Sequence, residues 1–102
     1  MKILHLTLKK KWFNLIASGK KTVEYREFKP YWEKRLVAKR FTEVHFRNGY
    51  GTDDPFMRVA CIGIFMFLPK HGMRFAPKHG EKIESWHFAI VLGEVLEVKL
   101  NK

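Results

Sequence analysis

Cysteine is nearly missing from this chain of 102 residues: Cys61 stands alone. A single thiol excludes an internal disulfide and any zinc site built on several cysteines. It is compatible with a reducing cytosol, and a cytoplasmic setting is the expectation. Long apolar runs are missing as well. The longest, Val59 to Leu68, is about half the ~20 residues of a membrane span, so no membrane partner is expected. Met1 to Leu6 alternates after an early lysine and lacks the apolar stretch of a secretory signal. No linker or low-complexity stretch divides the sequence, and residues 1–102 are expected to form one domain. A chain this short has little room for an enclosed cofactor. None is expected, and chemistry belongs in a surface groove.

Acidic residues are scarce, with 10 Asp and Glu against 20 Lys and Arg, a formal net charge of +10. The excess is lopsided: residues 1–50 hold 13 basic and 4 acidic residues, and residues 51–102 hold 7 and 6. A basic field attracts polyanions, of which nucleic acid is the commonest in a cell. What is plentiful is aromatic and apolar, 15% and 46%, far too much for a disordered basic tail.

Alternation over Lys2–Leu8 predicts a strand, with Leu4, Leu6 and Leu8 on one face. Lys9–Ser18 reads as a helix: Trp12, Leu15 and Ile16 make its apolar stripe, Thr7 is its expected N-cap and Gly19 its C-terminal residue. Lys9, Lys10 and Lys11 crowd the first turn, where the helix dipole disfavours cations by a few tenths to about 1 kcal/mol each. Residues set against local stability are candidates for function. Lys21–Phe28 is a second strand, and Pro30 opens a second helix through Leu36. Glu43–Asn48 alternates, Asn48 to Pro55 is a turn and loop, and Phe56–Phe67 is a long, central strand with a bend at Gly63. Pro69-Lys70-His71-Gly72 echoes in Pro77-Lys78-His79-Gly80, two turns. Trp86–Leu92 forms a strand, and after Gly93 the residues Leu96, Val98 and Leu100 are expected as the inward face of a last one. The fold class is therefore α+β. About six strands and two N-terminal helices suggest a small β-barrel or curled sheet with helices on an end or edge.

The densest polar chemistry lies at Gly19 to Arg26. On a strand Glu24 and Arg26 share a face, while Val23 and Tyr25 take the other. A carboxylate beside a guanidinium offers an acceptor and a planar fork of donors, which suits a nucleobase or nucleotide. Lys21 joins Glu24 only if it lies in the turn before the strand begins. Tyr50, between two glycines, is expected as an exposed ring for stacking on a base, and Arg47, on the outward face of its strand, is expected to reach phosphate or base. His71 and His79 lack further ligands at metal spacing, so no metal is expected.

Gly19, Lys21, Glu24 and Arg26 match the G-x-K-x-x-E-x-R pattern of the ASCH domain (activating signal cointegrator homology). The segment Lys11 to Ser18 leading into it, Arg47 to Gly51, and Ile90 to Leu96 also resemble small bacterial and phage members of that family. The resemblance spans most of the chain outside Pro69–Glu84. It implies a PUA-like β-barrel with a cleft between barrel and helices, lined by the motif, and a role in binding RNA or a modified nucleoside. Some members are amidohydrolases acting on N4-acetylcytidine through a Lys–Thr–Glu set, and ribonuclease activity is ascribed to others. Here Lys21 matches the lysine, and Glu24 stands where the threonine would be, with Thr22 as a neighbour. The remaining carboxylate is open among Glu81, Glu84, Asp53 and Asp54.

The leading expectation is an RNA- or nucleoside-binding domain. Lys9, Lys10, Lys11 and Lys20 would attract phosphate, Lys21, Glu24 and Arg26 would read the ligand, and Arg47 and Tyr50 would sit at the rim. The alternative is a hydrolase on the same cleft, with Lys21 stabilising an oxyanion and Glu24 moving protons. A third expectation is a protein-interaction module whose basic half meets an acidic protein.

Overall fold

The computed structural model describes residues 2–51, 53–68, 77–83 and 85–100. The order is β1 (Ile3–Thr7), α1 (Lys10–Ala17), β2 (Val23–Glu27), α2 (Pro30–Leu36), β3 (Glu43–Arg47), β4 (Phe56–Phe67) and β5 (His87–Lys99). The five strands form one mixed sheet in the order β1-β3-β4-β5-β2. Only β1 and β3 run parallel; the other pairs are antiparallel. The protein is a small α+β domain whose sheet curls into a half-barrel.

The curl brings the two edges within reach of one side chain. Arg26 on β2 donates from Nη2 to the carbonyl of Thr7 on β1 at 3.4 Å. Three register shifts along β4 and β5, between Arg58 and Val59, Val59 and Cys61, and Cys61 and Gly63, mark the irregularities where such sheets bend. Gly63 sits at the last of them, as its position in the sequence suggests.

Alternation sorts the core. Leu4, Leu6, Leu8, Val44, Phe46, Met57 and Val59 are buried on the inner face, where Phe13 and Ile16 of α1 and Leu36 of α2 pack against them. On the outer face Arg58 donates to Glu43 and to Glu97, both at 2.9 Å, fastening β3, β4 and β5 across the convex side. Among the described residues no helix is long and apolar enough to cross a membrane.

Three features differ from the sequence reading. The strands number five because β5 runs unbroken through Gly93. That glycine is a close approach: a Cβ there would lie 3.3 Å from Ile62 and 3.4 Å from Ala60. The register shifts also change which alternate residues face inward. Val95 packs on the core, while Leu96, Val98 and Leu100 are exposed. Thr7 does not cap α1. Lys9 holds the N-cap position, with no side-chain cap and no acid in the first turn.

Candidate functional site

The site begins where α1 stops. Gly19 takes φ +81, a left-handed conformation that glycine adopts freely. The amides of Lys20 and Lys21 then both donate to the Leu15 carbonyl, at 3.1 and 3.0 Å. This reversal fixes Lys21 in the turn, two residues before β2 starts, which is the condition for joining Glu24. The Thr22 carbonyl accepts from Leu92, the first link of β2 to β5.

Lys21 is almost fully buried, at 3% exposure. Its Nζ lies 2.5 Å from Glu81 Oε2 and 3.6 Å from Glu24 Oε1. It also stands 4.8 Å from the Tyr25 ring centroid and 5.1 Å from that of Trp12, a favourable placement for a desolvated cation. Arg26 holds the other oxygen of Glu24 at 2.9 Å and lies 5.1 Å from the Trp32 ring. The Arg26 Nε is buried without a hydrogen-bond partner among the described residues. Two cations and two carboxylates thus share one partly buried network.

Glu81 arrives from sixty residues away. The turn Pro77 to Gly80, with Gly80 at φ +83, delivers it. The His79 amide donates to Glu81 Oε1 at 2.7 Å, and His79 Nε2 donates to the Lys20 carbonyl at 3.1 Å. The 77–83 segment is therefore clasped to the turn that carries Lys21. The first copy of the echoed motif, with His71, and Glu84 lie outside the described residues.

The electrostatics separate the two acids. Burial raises the Glu24 carboxyl above its ordinary range, against the pull of Arg26 and Lys21. Burial acts on Glu81 in the same sense, but hydrogen bonds from Lys21 and the backbone, with the lysine's charge, hold it below that range. Tyr25 is pushed up to about 12 by burial and then by the negative charges of Glu81 and Glu24.

The sign of the tyrosine effect is testable. A raised phenol contributes stability that is complete below its unfolded value of about 10 and is lost as pH rises toward about 12. Glu81→Gln removes one of the repelling charges. In that variant the Tyr25 phenol should ionise at lower pH, followed by NMR of ring-labelled tyrosine. An unmoved titration would show that Glu81 does not act on Tyr25.

These groups line a cleft of about 330 Å³ with Trp12, Tyr25 and Trp32 in its walls. His87, Lys29 and Lys82 also line it. The volume falls at the low end of the ~300–1,000 Å³ common for small-molecule sites. Flat apolar rings beside paired donors and acceptors can hold a planar polar ligand. Among the described residues no three His, Cys, Asp or Glu side chains gather as a metal site.

The structure brings Lys21, Glu24 and Arg26 together and adds Glu81 from the four open acids. Asp53 and Asp54 belong to another loop, where Asp54 accepts from the Gly51 amide at 2.7 Å. Arg47 and Tyr50, expected at the rim, do not line the cleft. Arg47 stacks 4.6 Å from the Phe56 ring, and Tyr50 is 91% exposed. Lys9 and Lys10 lie at the far end of α1, about 12 Å of helix away. Lys11 reaches back, its Nζ 4.7 Å from the same Trp12 ring that meets Lys21. Lys20 is exposed beside the site. Sequence reasoning gave no site role to Trp12, Trp32, Tyr25 or His87. The two tryptophans do pack against the core, and they line the cleft as well.

No family model matches the chain, and no curated protein or solved structure matches it either.

Proposed function

We propose that this chain is an ASCH-type domain, PUA-like in fold, that binds RNA or a modified nucleoside in the Lys21 cleft. The observation that carries the reading is the Lys21–Glu24–Arg26–Glu81 network on the floor of a notch walled by Trp12, Tyr25 and Trp32. A nucleobase presents a flat face and a polar edge. The rings would cover the face, while the carboxylates would accept from its amino or amide hydrogens and Arg26 would donate to its carbonyl. Lys21, Arg26, Lys29 and Lys82 face Glu24, Glu27 and Glu81 in this cleft, a near balance suited to a base rather than to a run of phosphates. Phosphate attraction would come from outside it, through Lys9, Lys10, Lys11 and Lys20.

Calorimetric titration with cytidine, N4-acetylcytidine and a short single-stranded RNA tests this. A nucleoside should bind with little salt dependence, and RNA should bind with affinity that falls steeply as salt rises. Glu24→Ala and Arg26→Ala should each weaken the nucleoside about tenfold or more, the scale of a lost charge-assisted hydrogen bond. Silence with every probe would remove the proposal.

A hydrolase on the same cleft is the second reading, favoured by a carboxyl held protonated to higher pH beside a buried lysine. Water would add to the acetamide carbonyl of N4-acetylcytidine, Lys21 would stabilise the oxyanion and Glu24 would pass a proton to the departing nitrogen. The C–N bond breaks, releasing acetate and the free amine. Identical product traces from wild type and Glu24→Gln, on this substrate and on single-stranded RNA, would end that reading.

A further inference from the structure

A concavity larger than the Lys21 cleft lies elsewhere. A trough of about 660 Å³ runs between the 37–41 segment that follows α2 and the Cys61–Met66 stretch of β4. Six strand residues set its length at about 20 Å. Its walls are mainly apolar and open to water: Ile62 is 67% exposed, Met66 53% and Val37 42%. Exposed aliphatic side chains gathered in a concavity and edged by charge mark interaction surfaces. Lys39 and Arg40 line one side, and neither forms an ion pair among the described residues. No carboxylate lines the trough among those residues. Ala38, between Val37 and Lys39, takes φ +58, a left-handed conformation uncommon for alanine.

We propose that this trough is a docking site for an extended acidic protein segment whose apolar side chains seat between Val37 and the Ile62–Met66 wall. Charge decides the class of partner. Two cations without an ion-pair partner among the described residues favour an anionic ligand, and the exposed apolar walls favour one with apolar side chains. An acidic peptide with alternating bulky side chains supplies both at the spacing of a strand. Single-stranded nucleic acid fits less well, because its bases stack on successive open aromatic rings, whereas among the exposed large apolar residues of this lining Phe65 is one ring beside the aliphatic Val37, Ile62 and Met66. The trough shares no lining residue with the Lys21 cleft, so this proposal and the nucleoside reading stand or fall separately.

The probe is a fluorescein-labelled synthetic hexapeptide alternating glutamate and leucine, followed by anisotropy with the full chain. It should bind. Ile62→Glu, and separately Lys39→Glu with Arg40→Glu, should each weaken it about tenfold or more, as expected for loss of an interface anchor. Cytidine titration of the same variants should be unchanged. A melting curve confirms folding of Ile62→Glu, and Met66→Glu serves if that variant is unfolded. Equal binding of a glutamate–serine peptide would reduce the effect to bare charge attraction and overturn the proposal. So would flotation with phosphatidylglycerol vesicles in the absence of peptide binding, or an anchor variant that binds like wild type.

Discussion

Lys21→Met is expected to abolish nucleoside binding and to lower folding stability by about 3–5 kcal/mol, the scale for removing one partner of a buried ionic cluster. Methionine preserves much of the lysine stem, so the loss is one of charge. Glu24 Oε1 and Glu81 Oε2 now sit 3.6 and 2.5 Å from the ammonium. Without it, two poorly solvated carboxylates face a common gap. Arg26 still holds Glu24, and the His79 amide still holds Glu81, but neither fills that gap. The pH dependence distinguishes this cause from a packing defect. Both carboxyls should then take protons more readily, so the deficit shrinks as pH falls through the carboxyl range. Urea unfolding at neutral pH and near pH ~4.5, close to an ordinary glutamate value, would show it. A deficit independent of pH, or no greater than that of Lys20→Met at the exposed neighbour, would refute the account.

Phe46→Ala should cost about 3–5 kcal/mol for a different reason, the cavity left by a fully buried ring. Phe46 is 0% exposed and sits in register with Leu6 on one side and Met57 on the other. It does not line the Lys21 cleft. Nucleoside affinity measured well below the melting temperature should therefore stay near wild type while the melting curve shifts down. Together the two variants separate what holds the sheet from what holds a ligand. Loss of affinity in folded Phe46→Ala would show that the cleft depends on the core packing more directly than its lining suggests.

Local grammar accounts for much that the sequence made legible. Leu4, Leu6 and Leu8 alternate and are buried together. Pro30 opens α2, and Gly19 ends α1 in a left-handed turn. The same turn settled the position of Lys21, which alternation alone had put on the wrong face. What stayed hidden was set by distant chain. Glu81 was one of four acids, because nothing between residues 21 and 81 reports which loop returns to the α1–β2 turn. Its place immediately after the Pro77–Gly80 turn was the available signal. Trp12 and Trp32 lay on helical apolar stripes, which point to the core without revealing that one edge of each borders the cleft. Gly93 read as a stop because glycine marks turns, whereas here it marks a close approach of β5 to Ile62 and Ala60 on β4. The inward phase after it was misread because register shifts involve the partner strand.

The edge position of β2 has a consequence for biogenesis. Its sheet neighbour is β5, the last strand of the sheet. As the polypeptide leaves the ribosome, the Glu24–Arg26 segment waits for residues 87–91 before it can pair, and Glu81 emerges only shortly before them. The Lys21 cluster therefore closes only after residues 81–99 have been made, and a fragment ending before Glu81 carries the positive field of residues 1–50 without that carboxylate or the strand that holds β2. Long-range pairing of this kind also slows folding.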